Sequence, residues 1–200
     1  MIRISKKEIL EELTAAELSY DQGIDGAAVD RKANDSIYSI SPIKYDENSS
    51  IINFKAKSTS RPAFGHNTQF HMINLQDAKQ EIENIIKKQN QEKNPDFVIL
   101  DIENFKNIIN RAILADIKLH CSCESYQYYR SYQLTQLDSA IYPETRPPKR
   151  NDPQLKRVHL CHHLLAVLRY VLKDINRMAE YIINNDGYLK AINRNLQYEK

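Results

Sequence analysis

The chain has 200 residues, of which 42% are apolar and 27% are charged, and its formal net charge is +2. This length can bury a sizeable core, and the composition is typical of a soluble globular protein. A nearly balanced charge favours no particular class of partner, and only four glycines provide no phosphate-binding glycine loop. No window approaches the roughly 18 continuous apolar residues of a membrane span, and residues 1–7 lack the apolar core of a signal peptide.

The N-terminal segment is predicted to be a helix with an acidic surface. Ser5 is a good N-cap with Glu8 three positions later, and an apolar stripe runs from Ile9 to Ala16. The first thirty residues contain three basic and seven acidic side chains, which gives them a net charge of −4. This charge indicates either a solvated helix face, which we prefer, or an arm that docks on a basic neighbour.

Residues 35–75 are predicted to be rich in β-structure. The segments whose β-branched and aromatic residues favour an extended chain are Ile37–Ser41, Ile51–Lys57 and Phe70–Ile73. Pro42 indicates an edge strand or a bulge, because proline cannot donate a ladder hydrogen bond. Residues 58–68 contain a proline and a glycine, and they are predicted to form a long loop.

Two amphipathic helices are predicted in the middle of the chain. Asn74 can cap the first helix, which runs to about Lys88, and the second helix spans Asp101–Leu114. The polar residues 89–95 separate the two helices and mark a weak domain boundary. Between this break and the second helix, Phe97–Leu100 is expected to be a short buried strand or turn.

All three cysteines of the chain lie in two short motifs. Cys121 and Cys123 are predicted to share one face of a strand over residues 115–123, because alternate strand residues point the same way. Cys161 is expected just before a helix and His163 in its first turn, since mid-helical residues two apart point about 200° apart. Three thiolates and one imidazole make a closed tetrahedral zinc site. The predicted ligands of a structural zinc ion are therefore Cys121, Cys123, Cys161 and His163.

Alternatives to this assignment stay open. Buried free cysteines also behave as small apolar residues in a reduced core. His162 is a second candidate for the imidazole ligand, and His120 and His159 are interpreted as surface groups or as groups that support the ligands. His66 and His71 have no cysteine near them in sequence, and we interpret them as surface or core residues. An odd number of cysteines in such a cluster favours synthesis in a reducing cytoplasm.

A 37-residue insert, residues 124–160, separates the two cysteine motifs, and a helix follows the second motif. The insert combines tyrosines, which suit protein interfaces, with prolines and a basic run. It is interpreted as a loop packed around the metal site, as a subunit interface or, ranked last, as a nucleic-acid contact. Its tyrosines are Tyr126, Tyr128, Tyr129, Tyr132 and Tyr142, and its basic residues are Arg146, Lys149, Arg150, Lys156 and Arg157. Beyond it, an apolar stripe from Leu160 to Ile182 predicts one helix.

The pattern Cys-x-Cys followed by Cys-x-His resembles the SWIM-type zinc motif. More narrowly, residues 116–172 resemble a version found in virion structural proteins of tailed bacteriophages, including the crAss-like group. The segments that carry the resemblance are Cys121–Tyr128, the proline-rich and basic Arg146–Pro153, and Cys161–Leu168. The chain departs from that pattern at Glu124–Ser125, at His162 and at the additional Asp152, and none of these departures removes a ligand.

The resemblance implies a structural subunit of a tailed-phage virion, synthesised in the host cytoplasm. Repeated copies are expected in a ring at the head-to-tail connection or in the tail. The implied partners are further copies of the chain and portal, neck or tail proteins, with no membrane. A SWIM-type zinc module that binds nucleic acid is the alternative. No enzyme is predicted, because no catalytic set of residues stands outside the proposed metal ligands.

The predicted fold class is α+β, with a small β-sheet, flanking helices and a zinc-clamped module of a strand pair and a helix. Three regions are expected along the chain. Residues 1–95 form an N-terminal α+β region with the acidic helical arm, and residues 96–183 form the SWIM-like zinc module with its insert. Residues 184–200 are expected to be a short tail that is helical or frayed.

Overall fold

The computed structural model describes residues 37–58, 61–91, 100–148 and 160–198. The acidic helix predicted over residues 5–20 lies outside these ranges, as do residues 97–99 of the predicted short strand and residues 149–159 of the insert. Within the described ranges the chain has an α+β fold, in which helices flank a four-stranded antiparallel sheet. The predicted fold class is confirmed.

The four strands follow one another across the sheet in the order β1-β2-β3-β4. Their bounds are Ile37–Asp46 for β1, Ile51–Ser58 for β2, Arg61–Met72 for β3 and Ile117–Cys121 for β4. Pro42 lies in the edge strand β1, next to a register shift between Pro42 and Lys44. The edge strand and the bulge predicted from this proline are both present. Proline is tolerated at such positions because no ladder hydrogen bond needs the N–H that it lacks.

The third strand is longer than predicted, and most of the expected loop over residues 58–68 is part of it. Between the pairs Ala56–His66 and Ser58–Arg61, Lys57 of β2 faces residues 62–65 of β3. Gly65 in this bulge has a φ of +53°, and a Cβ atom there would lie 2.9 Å from the carbonyl oxygen of Ala56. The loop prediction was wrong because proline and glycine, which usually punctuate loops, here form a bulge inside a strand.

Six α-helices are described, and a π-helical turn, Tyr126–Arg130, directly precedes the third of them. Their bounds are Leu75–Gln91 for α1, Ile102–Ile113 for α2, Ser131–Gln136 for α3, His162–Lys173 for α4, Ile175–Asn185 for α5 and Gly187–Tyr198 for α6. The Asp101 carboxylate caps α2 by accepting from the Asn104 N–H at 2.7 Å. At the start of α1 the Asn74 carbonyl accepts from the Ala78 N–H at 3.0 Å, whereas the Asn74 Oδ1 has no described partner. None of these helices is both long enough and apolar enough to cross a membrane.

The single helix predicted after Cys161 is divided into α4 and α5. Asp174 interrupts it with φ −147° and ψ 78°, and its side chain accepts from the Arg177 N–H at 2.9 Å. Aspartate is a favoured N-cap, so a new helix begins here although the apolar stripe continues across the break. The segment expected to be a helical or frayed tail contains α6, whose Leu189 is fully buried.

Helix α4 crosses one face of the sheet and contacts all four strands. Alternate residues of β2, among them Phe54, are buried on this face, and the Phe54 ring meets Tyr170 edge-on at 6.0 Å between centroids. One hydrophobic core joins the sheet and the helices. The domain boundary predicted near residue 95 falls between β3 and β4, which are paired in the same sheet.

Buried Asp186, between α5 and α6, is the centre of a network of hydrogen bonds and one ion pair. Its carboxylate accepts from the Tyr45 hydroxyl at 3.0 Å and from the Leu189 N–H at 3.1 Å, and it forms an ion pair with Lys79 of α1. Burial and the nearby Asp186 carboxylate raise the pKa of Tyr45. Because a buried carboxylate needs such partners, this arrangement joins β1, α1 and α6.

Candidate metal centre

Cys121, Cys123, Cys161 and His163, here called the cysteine–histidine cluster, come together in the structure. One ligand atom from each residue lies within 4.8 Å of the others. The four side chains are only 0 to 4% exposed. Tetrahedral zinc–thiolate bonds of about 2.3 Å place sulfur ligands about 3.8 Å apart, so small shifts bring these atoms to bonding distance. The predicted convergence of the four side chains is confirmed.

The first pair of cysteines is held at the end of β4. Cys121 is the last residue of this strand and is paired with Thr68 of β3. Ser122 then links back to β3, since its N–H donates to the Asn67 carbonyl at 2.9 Å and its Oγ accepts from the Asn67 N–H at 3.0 Å. Cys123 lies beyond the strand, contrary to the prediction of one strand through residue 123, although its side chain is buried in the same cluster.

The second pair lies at the start of α4, as predicted. Cys161 is the N-cap residue, with extended backbone angles of φ −79° and ψ 159°, and its carbonyl accepts from the Leu165 N–H at 3.0 Å. A thiolate here lies at the positive end of the helix dipole, which stabilises negative charge. His163 is in the first turn of the helix and is buried.

The imidazole of the cluster belongs to His163, and two further histidines flank it. The His162 ring lies 3.9 Å from the His163 ring, and the His66 ring of β3 lies 4.2 Å from it, between centroids. Burial, together with the nearby His163, lowers the pKa of His162 to about 4. Sequence reasoning missed His66, because only the pairing of β3 with β4 brings it beside the cysteine motifs.

The donor set of the cluster fits a metal ion. Both ring nitrogens of His163 are buried and lack hydrogen-bond partners among the described residues. An unsatisfied buried polar group costs about 1–3 kcal/mol, and a metal bond to one nitrogen would remove part of that cost. The residues that would hold the ion are the three thiolates and this imidazole.

The pKa values of the three buried cysteine thiols also bear on whether the cluster binds a cation. Burial raises the pKa of Cys121, and it raises that of Cys161 to about 12. Hydrogen bonds from the other two thiols lower the pKa of Cys123. Burial thus disfavours negative charge on Cys121 and Cys161, whereas a bound divalent cation would stabilise all three thiolates.

Tyr126 supports the cluster from the π-helical turn. Its N–H donates to the Cys123 sulfur at 3.4 Å, and its hydroxyl donates to the Leu119 carbonyl at 2.9 Å. The His120 ring packs edge-on between Tyr126 and Tyr142, at centroid distances of 5.1 and 4.8 Å. Among the insert's interpretations, Tyr126 fits the loop packed around the metal site rather than a subunit interface, because its side chain is only 1% exposed.

Thr68 is a second polar neighbour of the cluster that the sequence did not reveal. It lies opposite Cys121 in the β3–β4 ladder, is fully buried, and its Oγ1 has no described hydrogen-bond partner. Side chains of such cross-strand pairs have Cβ atoms about 4.5–5.5 Å apart. The register thus places the Thr68 and Cys121 side chains next to each other, so a thiolate at Cys121 is a candidate acceptor for this hydroxyl.

The described part of the insert packs against β4 and also presents exposed tyrosines. Ala140 forms a parallel bridge with Leu119 and covers the outer edge of β4. Tyr128 and Tyr142 are 66% and 55% exposed. Arg146 forms an ion pair with Glu144 at 2.9 Å, and hydrogen bonds from Arg146 lower the pKa of this carboxyl to about 2. Loop packing and an exposed aromatic surface therefore coexist in one segment.

Fold and site together define an α+β protein with a buried cluster of three cysteines and one histidine. Comparisons with protein families, with curated proteins and with solved structures find no match to this chain. The resemblance of residues 116–172 to the SWIM-type motif and to phage virion proteins thus stays a prediction from the sequence.

Proposed function

We propose that this protein is a structural subunit of a tailed-phage virion, in the neck ring or the tail, that is made rigid by zinc. The observation that carries the proposal is the burial of a complete four-ligand set. Such a shell leaves no coordination position for water or substrate, which is typical of structural rather than catalytic zinc. The virion assignment comes from the resemblance of the motif.

In this proposal the ion would clamp together three parts of the fold. It would join the end of β4, the bend at Cys123 and the start of α4, which is the helix that covers the sheet. It would also close the 37-residue insert at both of its ends. A subunit that bears load in a particle gains from such a clamp, because the insert would keep its orientation when neighbours bind.

The same proposal assigns the protein no catalytic step. Thiolates in a full zinc shell are not free nucleophiles, and a filled shell cannot activate water. The exposed Tyr128 and Tyr142 would instead contact other subunits, since tyrosine provides a broad apolar face with a polar tip. A heterologous contact of this kind closes into a ring when the rotation between copies allows it.

A zinc module that binds nucleic acid through the insert is the second candidate. Its basic run offers one described residue, Arg146, and this side chain is already paired with Glu144. That ion pair reduces the positive charge available to phosphates. We therefore rank the virion subunit first.

The metal part of the proposal is tested by two matched histidine variants. Protein purified under reducing conditions should contain about one zinc per chain, and its Co²⁺ form should have the spectrum of a tetrahedral thiolate site. We expect His163→Ala to lose metal affinity and to change that spectrum, whereas His162→Ala should retain both. Reduced wild-type protein that contains no metal, or reversed behaviour of the two variants, contradicts the ligand assignment.

The virion part is tested on purified phage particles. Mass spectrometry should find the chain at a fixed copy number, and electron microscopy should allow it to be traced in a neck or tail ring. A nonstructural protein encoded by the same phage is the control for contamination. Absence of the chain from purified particles contradicts the virion assignment, even if the zinc content is as expected.

A further inference from the structure

The two faces of the sheet differ in character. Helix α4 packs across all four strands on one face, where the alternate residues of β2 are buried. The side chains that point the other way are exposed or half-buried. They form what we call the polar sheet face, which consists of Ser41, Lys44, Asp46, Ile51, Asn53, Lys55, Lys57, Asn67, Gln69, His71, Lys118 and His120.

Strand register arranges this face in polar rows. One row crosses all four strands through Lys44, Asn53, Gln69 and His120. The Gln69 amide donates to the Asn53 side-chain oxygen at 2.9 Å. In the next row, the Lys55 ammonium donates to the Asn67 side-chain oxygen at 3.1 Å. The Asn53 and Asn67 oxygens are therefore occupied within the face, and what it offers to a ligand is amide N–H groups beside ammonium groups.

The charge of the polar sheet face is predominantly positive. Its lysines are Lys44, Lys55, Lys57 and Lys118, and its one strand carboxylate is Asp46 at the β1–β2 turn. Lys118 is paired with Asp138 at 2.9 Å. Within the described part of the chain, the other three lysines form no ion pair. Three ammonium groups are thus available to an anionic ligand.

Aromatic rings stand at the β4 side of the same face. His120 belongs to the row that crosses all four strands, and Tyr142 packs edge-on against it at 4.8 Å between centroids. Tyr142 is 55% exposed, so one side of its ring is accessible. Accessible rings beside cationic and amide groups are the components with which proteins hold unpaired bases.

We propose that the polar sheet face binds single-stranded nucleic acid. Lys44, Lys55 and Lys57 contact phosphates, the Asn53 and Asn67 amide N–H groups donate to base edges, and Tyr142 stacks on a base. A four-stranded face favours a single strand, because the base edges of a duplex lie in grooves that admit a helix or a two-stranded ribbon. This inference rests on neither the zinc ion nor the virion assignment.

An acidic protein segment is the competing occupant. It would satisfy the three lysines, but it would leave unused the accessible ring of Tyr142 beside them, on which a base can stack. The N-terminal thirty residues of this chain, with their net charge of −4, are the natural probe of that alternative. The test therefore includes a synthetic peptide of residues 1–30.

The experiment measures binding of the full-length, zinc-loaded chain to fluorescent oligonucleotides of about 12 bases by anisotropy. Single-stranded DNA, single-stranded RNA and the matching duplex are compared at several salt concentrations. The test variant replaces Lys44, Lys55 and Lys57 with glutamine. The control variant makes the same charge change at three exposed helix residues that form no ion pair in the described chain, Lys88, Lys173 and Lys190.

We expect single strands to bind more tightly than the duplex. Each phosphate contact contributes about 0.7 to the slope of log affinity against log salt, so the test variant should lower this slope by about 2. The control variant should keep the wild-type slope. Tyr142→Ala should weaken binding about tenfold, whereas Tyr188→Ala, at an exposed tyrosine of α6, should leave it unchanged.

Three outcomes would overturn the proposal. Equal loss of binding in the test and control variants would show a general effect of charge rather than a site. Equal or tighter binding of the duplex would contradict the single-strand assignment. Binding of the acidic peptide that depends on Lys44, Lys55 and Lys57, without binding of nucleic acid, would make the face a protein-docking surface.

Discussion

Two buried polar centres in the described part of the chain differ in how their polar groups are satisfied. At one end, the Asp186 carboxylate receives hydrogen bonds or charge from Tyr45, Lys79 and Leu189. At the other end, both ring nitrogens of His163 lack a described partner, and three buried thiols surround them. The first centre is completed by the chain itself, whereas the second has the composition of a site that an ion completes. The contrast lies in the donor set, because only the second centre gathers three thiols and an imidazole around one point.

The largest effect that separates the two centres should come from removing the metal. Zinc binding contributes an apparent folding free energy on the order of 10 kcal/mol in small zinc-folded peptides. We expect a smaller contribution to the free energy of unfolding here, because an apolar core remains when the zinc is removed. Chelation or Cys121→Ser should lower the melting temperature and expose the insert to proteases first. Thermal melts with and without chelator, followed by limited proteolysis, measure this. A chelator that removes zinc without changing either readout contradicts a stabilising site.

A smaller effect is expected from breaking the centre that the chain completes. Asp186→Ala leaves Lys79 without its carboxylate partner, and removal of one member of a buried ion pair costs about 3–5 kcal/mol. For a chain of this length that loss corresponds to a fall in melting temperature of about 10 °C. Chelation should lower the melting temperature of this variant by as much as it lowers that of the wild type, since stability changes at sites that do not touch are additive. A chelator effect that disappears in Asp186→Ala would show that the two centres are coupled.

The smallest effect should come from Thr68 and should change sign with the metal. With zinc bound, we expect the Thr68 hydroxyl to donate to the Cys121 thiolate, so Thr68→Val should cost about 1 kcal/mol of stability. Without zinc, the same change removes an unpartnered buried hydroxyl and should be neutral or stabilising. Thr68→Ser keeps the hydroxyl and serves as the matched control. Melts of both variants with and without chelator decide the matter, and an equal cost of Thr68→Val in both states contradicts this role.

Local sequence patterns predicted much of this protein. The positions of Pro42 and Cys161 predicted an edge strand and the start of α4, because each depends on neighbours within a turn or a strand. The identity of the four candidate ligands also followed from spacing, since a strand end and a helix start offer few ways to direct two side chains to one point. These predictions needed no knowledge of long-range contacts.

Other features were decided by tertiary structure. Proline and glycine in residues 58–68 indicated a loop, but pairing with β2 made the segment a strand with a bulge. Only the β3–β4 register places Thr68 opposite Cys121 and brings His66 to the His163 ring. Asp186 lies in the segment expected to be a short tail, yet contacts from residues more than a hundred positions away bury it. Such contacts join residues that are distant in sequence, so no periodicity or spacing along the chain records them.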